Sequence, residues 1–278
     1  MSEHVESLPA QASGDSASAG ITWRDYLELT KPTVVAMMIL TSVIGMLLAV
    51  PGVPGWSVLF YGNAGIALLA GAAAVVNHVV DQKIDTVMAR TRKRPVATGR
   101  VAPRDAMMFA TALAIAGMVV LVWQVNQLTA WLTLASLVGY AGVYTLFLKR
   151  MTPQNIVIGG LAGAMPPLLG WTAVTGQIDG HALLLVLIIF AWTPPHFWAL
   201  AIHRKEEYVK AGIPMLPVTH GNRYTELHIL LYTLILLAVS LLPFVTGMSG
   251  VVYLIGALAL GLRFLQYAIR LWRGDDRK

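Results

Sequence analysis

The chain of 278 residues contains no cysteine, which excludes disulfide bridges and thiolate metal sites. Charge is scarce. Asp, Glu, Lys and Arg make up 12% of the residues, about half of what a soluble globular domain carries. No basic head followed by an apolar core opens the sequence, so its first residues are not expected to act as a secretory leader. The apolar segments also lack the period-two alternation of a membrane barrel. What is present is hydrophobicity: 56% of residues are apolar and the mean hydropathy is +0.66. These values predict an all-α, polytopic membrane helix bundle. The formal charge of +6 then reads as loop charge that sets orientation, and no nucleic-acid partner is expected.

A span needs about 20 apolar residues. Eight segments qualify: 33–50, 57–80, 105–124, 129–148, 154–174, 182–202, 226–246 and 250–272. The second and sixth are expected to continue as helix past the hydrocarbon, to Ala89 and Ala211. The connections 51–56, 125–129, 175–181 and 246–250 hold no Lys or Arg, so all twenty basic residues fall on the other side. The positive-inside rule puts that side, with both termini, in the cytoplasm. Residues 1–22, rich in Ser, Ala and Gly, read as a disordered cytoplasmic tail, and 23–278 as one transmembrane domain. A shift of 122 residues places Asp85 on Glu207, Pro95-Val96 on Pro217-Val218 and Gly99 on Gly221. That weak repeat divides the domain into two four-helix halves, about 23–150 and 151–278.

The stretch with most chemistry runs from Asn77 to Gly99. Asn77, Asp81 and Asp85 stand at i, i+4 and i+8, one helix face with about 6 Å between successive side chains. Two carboxylates one turn apart repel unless a cation sits between them. Mg²⁺ prefers oxygen ligands and is typically held by one or two carboxylates plus substrate phosphates. Lys83, Arg90, Arg92, Lys93 and Arg94 supply cations for phosphate oxygens. The cluster alone would serve equally as topology-setting charge. The polar triplet at a span's end points instead to a site.

A second polar helix end lies at 192–221. Pro194-Pro195 is expected to open or kink the helix. His196, His203 and Glu207 then share a face, with Glu206 about a quarter-turn away. His196 reads as a partly buried structural hydrogen-bonder, a general base, or a ligand to an iron-containing substrate. Lys31-Pro32 precedes the first span as anchor or phosphate ligand. Tyr140 and Tyr144 share a face of span four, followed by Lys149, as interface aromatics or as stabilisers of an allylic cation. Asn155 and the small-residue run 159–167 suit close helix packing.

Asn77, Asp81 and Asp85, followed by Met88, Arg90, Thr91, Arg94 and Pro95, resemble the first aspartate motif of the UbiA-type intramembrane prenyltransferases, in the branch that farnesylates haem. Leu29-Thr30-Lys31-Pro32, Pro195 to Ile202, Glu207-Tyr208 and Ala211 to Val218 resemble the same branch, so the likeness extends over about residues 25–225. It implies a UbiA-like fold that moves the farnesyl group of farnesyl diphosphate to a vinyl group of haem B, with addition of water, in the service of haem-copper oxidases. It implies Mg²⁺ on Asp81 and Asp85, and catalytic roles for Asn77, His196 and Glu207. Substrate contacts are implied for Lys31, Lys83, Arg90, Arg94, Tyr140, Tyr144, Lys149, Asn155, Trp198, Glu206 and Tyr208. Implied partners are the two substrates, membrane lipid, and a haem A synthase or oxidase assembly factor at a bacterial inner membrane.

The sequence departs from that pattern twice. The family usually has nine spans, against eight here, and His203 stands where an apolar or aromatic residue is usual. Two other functions remain open at this point. One is a related prenyltransferase acting on a phenolic quinone precursor such as 4-hydroxybenzoate. The other is a secondary transporter of an anionic or phosphorylated solute.

Overall fold

The computed structural model describes residues 21–274. The tail expected to be disordered, residues 1–22, lies almost wholly outside the described residues. Helix α1 (Trp23–Leu29) is capped by Thr22 and Asp25, and α2 (Pro32–Ala49) follows after a sharp bend at Lys31. The chain continues through α3 (Trp56–Val80), α4 (Gln82–Asp85), α5 (Pro103–Gln124) and α6 (Gln127–Leu137). A π-helix, π1 (Val138–Leu148), leads into the single turn α7 (Lys149–Met151). Then come α8 (Asn155–Ala164), α9 (Pro166–Thr175), α10 (Gly180–His203), α11 (Lys205–Lys210), α12 (Leu216–Thr219), α13 (Gly221–Val245) and α14 (Val251–Arg273).

Eight helical stretches among the described residues are long and apolar enough to cross a membrane. Span four is α6 with π1, and span five is α8 with α9. The others are α2, α3, α5, α10, α13 and α14. Their bounds agree with the apolar runs of the sequence to within about five residues. This is an integral, multi-pass membrane protein.

Helix α3 packs on α5, α2 on α9, α10 on α13 and α13 on α14. The α2–α9 crossing brings backbone to backbone. A Cβ on Gly45 would stand 2.1 Å from the Pro167 carbonyl oxygen, and one on Gly170 would stand 2.1 Å from that of Ser42. Without a driving force from water, close approach at small residues is what lets helices associate in lipid. Span two and span five are the most enclosed. Helix α14 is almost wholly peripheral.

Four local features differ from the expectations above. Helix α3 ends at Val80, not Ala89: Asp81 leaves helical geometry at φ −84°, ψ 1°, and only one turn, α4, follows. The amide bonds from Asp81 to Asn77 O (3.0 Å) and from Asp85 to Asp81 O (2.8 Å) persist, so the i, i+4, i+8 register survives the break. The sixth span likewise stops at His203, turns at Arg204 and resumes as α11 to Lys210. Pro194 and Pro195 lie buried inside α10 and do not open it. Finally, the second half of span four is π-helical, with its chain wound more widely than an α-helix.

Candidate active site

The break at Asp81 is held by side chains from three distant segments. Asn77 Oδ1 accepts from Lys31 Nζ at 2.5 Å, and Asn77 Nδ2 donates to Asp81 Oδ2 at 2.8 Å. Lys149 Nζ donates to that same Asp81 oxygen at 2.5 Å. Asp85 Oδ2 accepts from the Arg94 guanidinium at 2.7 Å. The three acid and amide side chains are buried, and the cations that neutralise them come from the start of span one, the end of span four and the loop after α4. Asp81 and Asp85 are thus each paired with a cation supplied by the protein itself.

Lys31 takes an unusual conformation to do this. At φ 52°, ψ 63° it is the one non-glycine residue with positive φ among the described residues. Such backbone costs about 1–3 kcal/mol and tends to persist where function requires it. Burial is the main force that lowers the Lys31 ammonium, to about 7; Arg94 and Lys149 act the same way, against Asp81 and Asp85. An arriving polyanion would reverse that shift.

Lys149 is positioned by π1. The wide winding lays Tyr140 and Tyr144 over one another, rings stacked 5.6 Å apart at 24°. The Asp81 carboxylate is within electrostatic reach of both. A Cβ on Gly159 would stand 2.5 Å from the Tyr144 ring, so glycine there lets the ring lie flat against α8. Asn155, fully buried, donates Nδ2 to the Lys149 carbonyl at 3.2 Å and so fixes the turn that carries Lys149.

The loop after α4 is anchored in two ways. Thr91 Oγ1 bonds the Asp85 carbonyl at 3.2 Å, and Gln82 Nε2 bonds that of Val96 at 3.2 Å. Val96 and Val101 pack fully buried with Leu29 and Val75. Arg100 then bonds Asp25 on α1 and donates to the Lys93 carbonyl at 2.9 Å. Two hydrogen bonds from Thr22, then the Arg100 charge, hold the Asp25 carboxyl below its ordinary value. Thr22 and Asp25, at the spacing of a capping box, are a signal of this latch that the reading of the sequence did not use.

The other predicted residues are less closely joined. Lys83 and Arg90 are exposed and form no ion pair among the described residues. His196 lies largely exposed on α10, stacked on Trp192 at 4.2 Å and 16°. The turn at Arg204 puts Glu206 and Glu207 on a different helix from His196 and His203, so the four do not form one continuous face. Glu207 keeps a buried oxygen, Oε2, without a partner. Tyr208 is buried beside Arg90, Arg204 and Glu207, and burial raises its hydroxyl above the usual phenol range. Trp198 is fully buried, with an unpartnered indole N–H. One residue escaped the sequence reading. His78, next to Asn77, is 2% exposed and neither ring nitrogen has a partner.

Asp81 Oδ1 is also buried and unpartnered. A buried carboxylate oxygen with no donor is an open place for a cation. With Asp85 one turn away, the donors are hard oxygens, which suit Mg²⁺. No group of three or more acidic or histidine side chains suited to a metal occurs among the described residues. Two carboxylates completed by phosphate oxygens and water are the ordinary arrangement for this ion.

A helical membrane bundle with a buried aspartate pair held by lysine and arginine from three segments fits the class of intramembrane prenyltransferases. Comparison with known proteins agrees. The family model described as the UbiA prenyltransferase family matches residues 38–278, and the chain belongs to that family. A protein of Marinobacter nauticus named protoheme IX farnesyltransferase is 85% identical over 274 residues, covering 99% of this chain and 90% of that one. Its namesake in Hahella chejuensis is 69% identical, covering 95% and 88%. Among solved structures, a digeranylgeranylglyceryl phosphate synthase superposes with a TM-score of 0.76 at 19% identity, covering 90% of this chain and 87% of that one. A UbiA homologue from Archaeoglobus fulgidus bound to GPP and Mg²⁺ gives 0.68 at 15% identity, covering 89% and 86%.

Proposed function

We propose that this protein transfers the farnesyl group of farnesyl diphosphate to a vinyl group of haem B, with addition of water, to give haem O. The observation that carries the reading is the 85% identity to a protoheme IX farnesyltransferase over almost the whole chain. The buried pair Asp81 and Asp85, with compensating cations on three segments, supports the diphosphate half of the reaction.

Asp81 and Asp85 would hold Mg²⁺, which when bound neutralises the diphosphate and makes it a better leaving group. Lys31, Lys149 and Arg94 then have a second task. Each now pairs with an acid or amide of the site, and each can turn toward a diphosphate oxygen. The farnesyl C1–O bond breaks, the diphosphate keeps the electron pair, and an allylic cation remains. The haem vinyl carbon attacks C1. The new cation on the vinyl's inner carbon takes water and releases a proton, leaving a hydroxyethylfarnesyl substituent. The stacked Tyr140 and Tyr144 offer a π-face to the allylic cation. Enclosure within the helices keeps bulk water from it. His196, Glu206, Glu207, Trp198 and Tyr208 supply the acceptor's side of the site, with Lys83 and Arg90 at its basic rim. The mouth opens to the cytoplasm of a bacterium's inner membrane, and product passes to a haem A synthase or an oxidase assembly factor.

Purified protein given haem B, farnesyl diphosphate and Mg²⁺ should yield haem heavier by one farnesyl group and one water, read by mass spectrometry. Product from 4-hydroxybenzoate, and none from haem, would overturn the reading.

Lys31→Gly separates strain from function. Glycine accepts φ 52° freely, but its greater freedom when unfolded offsets that gain and buried Asn77 Oδ1 loses its donor, so stability should fall by about 1–3 kcal/mol. Losing one charge-assisted contact to diphosphate should lower kcat/KM by about 10–100-fold. Equal activity in the two proteins would show that Lys31 only shapes the bend.

A further inference from the structure

We propose that His228 on α13 is an axial ligand for the iron of the acceptor haem. This inference rests on haem being the acceptor, as argued above. It assigns a metal-ligating role to a residue that the sequence reading passed over.

The first observation is a hydrogen bond. His228 Nδ1 lies 2.9 Å from the backbone carbonyl oxygen of Tyr224. A carbonyl oxygen only accepts, so Nδ1 carries the proton. In the neutral imidazole Nε2 is then the unprotonated nitrogen, with its lone pair free. Metal-binding histidines are typically prepared in this way, the outer nitrogen donating to a carbonyl or carboxylate. Nε2 has no hydrogen bond among the described residues, and it is not among the buried atoms that lack one. It is therefore open to a ligand.

The second observation is the frame around the ring. Tyr224 lies 4.2 Å away at 36°, one turn before it. Trp198, fully buried on α10, meets the imidazole edge-on at 5.9 Å and 86°, and meets Tyr232 at 5.3 Å and 87°. The imidazole is thus held between two aromatic rings from two helices. His196 shows the contrast. It stacks on Trp192, but no hydrogen bond among the described residues fixes which of its nitrogens is free.

The third observation is position. His228 stands seven residues into α13, roughly 10 Å from its first residue and near the start of the apolar run that opens at 226. Leu231 and Ile235, on the same face, are 45% and 48% exposed. Leucine and isoleucine suit lipid or a porphyrin face equally well. An imidazole whose Nε2 has no partner among the described residues, beside Leu231 and Ile235, suits lipid poorly, and polar groups within spans usually mark function. An open nitrogen ligand on an apolar, aromatic-lined helix face is what a flat, iron-centred macrocycle requires.

The test is optical. Detergent-purified protein is titrated with ferric haem B, and the absorption spectrum is followed. Wild type should give an imidazole-ligated spectrum. His228→Ala should lose it, with haem affinity at least tenfold weaker, and free imidazole should restore it. His228→Cys gives a positive readout: the spectrum should change to that of a thiolate-ligated haem, in a chain with no other cysteine. That variant decides the matter if the alanine variant proves unstable. His196→Ala should keep the imidazole spectrum. An unchanged spectrum in both His228 variants, or a wild type without an imidazole signature, would overturn the proposal. The farnesyl-transfer assay on the same samples separates the two readings. Haem O formed by a wild type lacking the signature sinks the ligand and leaves the function standing. Absence of product from haem B in wild type sinks both.

Discussion

Asp81→Asn is expected to reduce turnover by about 10²–10³-fold or more, the usual effect of removing one preorganised electrostatic group at a reacting centre. The substitution keeps shape and removes charge. Asp81 is the one residue of the site bonded to both Asn77 and Lys149, and it still has an oxygen to spare. In the variant, Mg²⁺ would have to rest on Asp85 alone, and the concentration for half-maximal rate should rise. Initial rates across a Mg²⁺ titration provide the check. A variant with normal rates at limiting Mg²⁺ would rule out metal binding by Asp81. Because Asn also leaves the Lys149 ammonium without its counter-charge, the loss should persist when Lys149→Met is added. If the second change restored turnover, the defect would lie in the stranded lysine and not in the metal.

Lys149→Met should give the largest change in stability. The Lys149–Asp81 pair is almost closed to solvent, with side-chain exposures of 16% and 3%. Removing one partner of such a pair leaves an unpaired buried charge, a loss of about 3–5 kcal/mol. The melting temperature in detergent should fall accordingly without metal. It should recover in part with Mg²⁺, since a ligand that binds only the folded state stabilises it. The double variant Lys149→Met with Asp81→Asn should be more stable than the single lysine variant, because the stranded charge is gone. If Mg²⁺ protects wild type and Lys149→Met equally, metal and ammonium do not share the Asp81 carboxylate.

The sequence revealed the eight spans because each is a continuous apolar run between turn-forming residues, as in TGQIDGH between α9 and α10. It revealed Asn77, Asp81 and Asp85 because helical spacing is a local property. The rest depends on distant contacts. The break at Asp81 is held by Lys149, 68 residues on, and no local pattern announces it. Arg94, among the five cations of its loop, turns inward to Asp85, while Lys83 and Arg90 do not. The π-winding of 138–148 was invisible because Val, Gly, Tyr and Leu give an apolar surface at either period. The strain at Lys31 is likewise backbone geometry, and the Lys-Pro pair only hinted at a bend. His228 passed unnoticed inside HILLYT, where one imidazole among leucines reads as an ordinary span.

The π-helix makes span four a matter of counting. Each wide turn uses more residues than an α-turn, so over the eleven residues from Val138 to Leu148 the two windings fall out of phase by about half a turn. Wound as α, the same sequence would carry Lys149 to roughly the opposite side of the helix. Asp81 would then lose its counter-charge with no side chain altered. The identity of the residues lining π1 matters less to that ion pair than their number, and span four works as a spacer whose length in residues sets the direction of a single charge at its end.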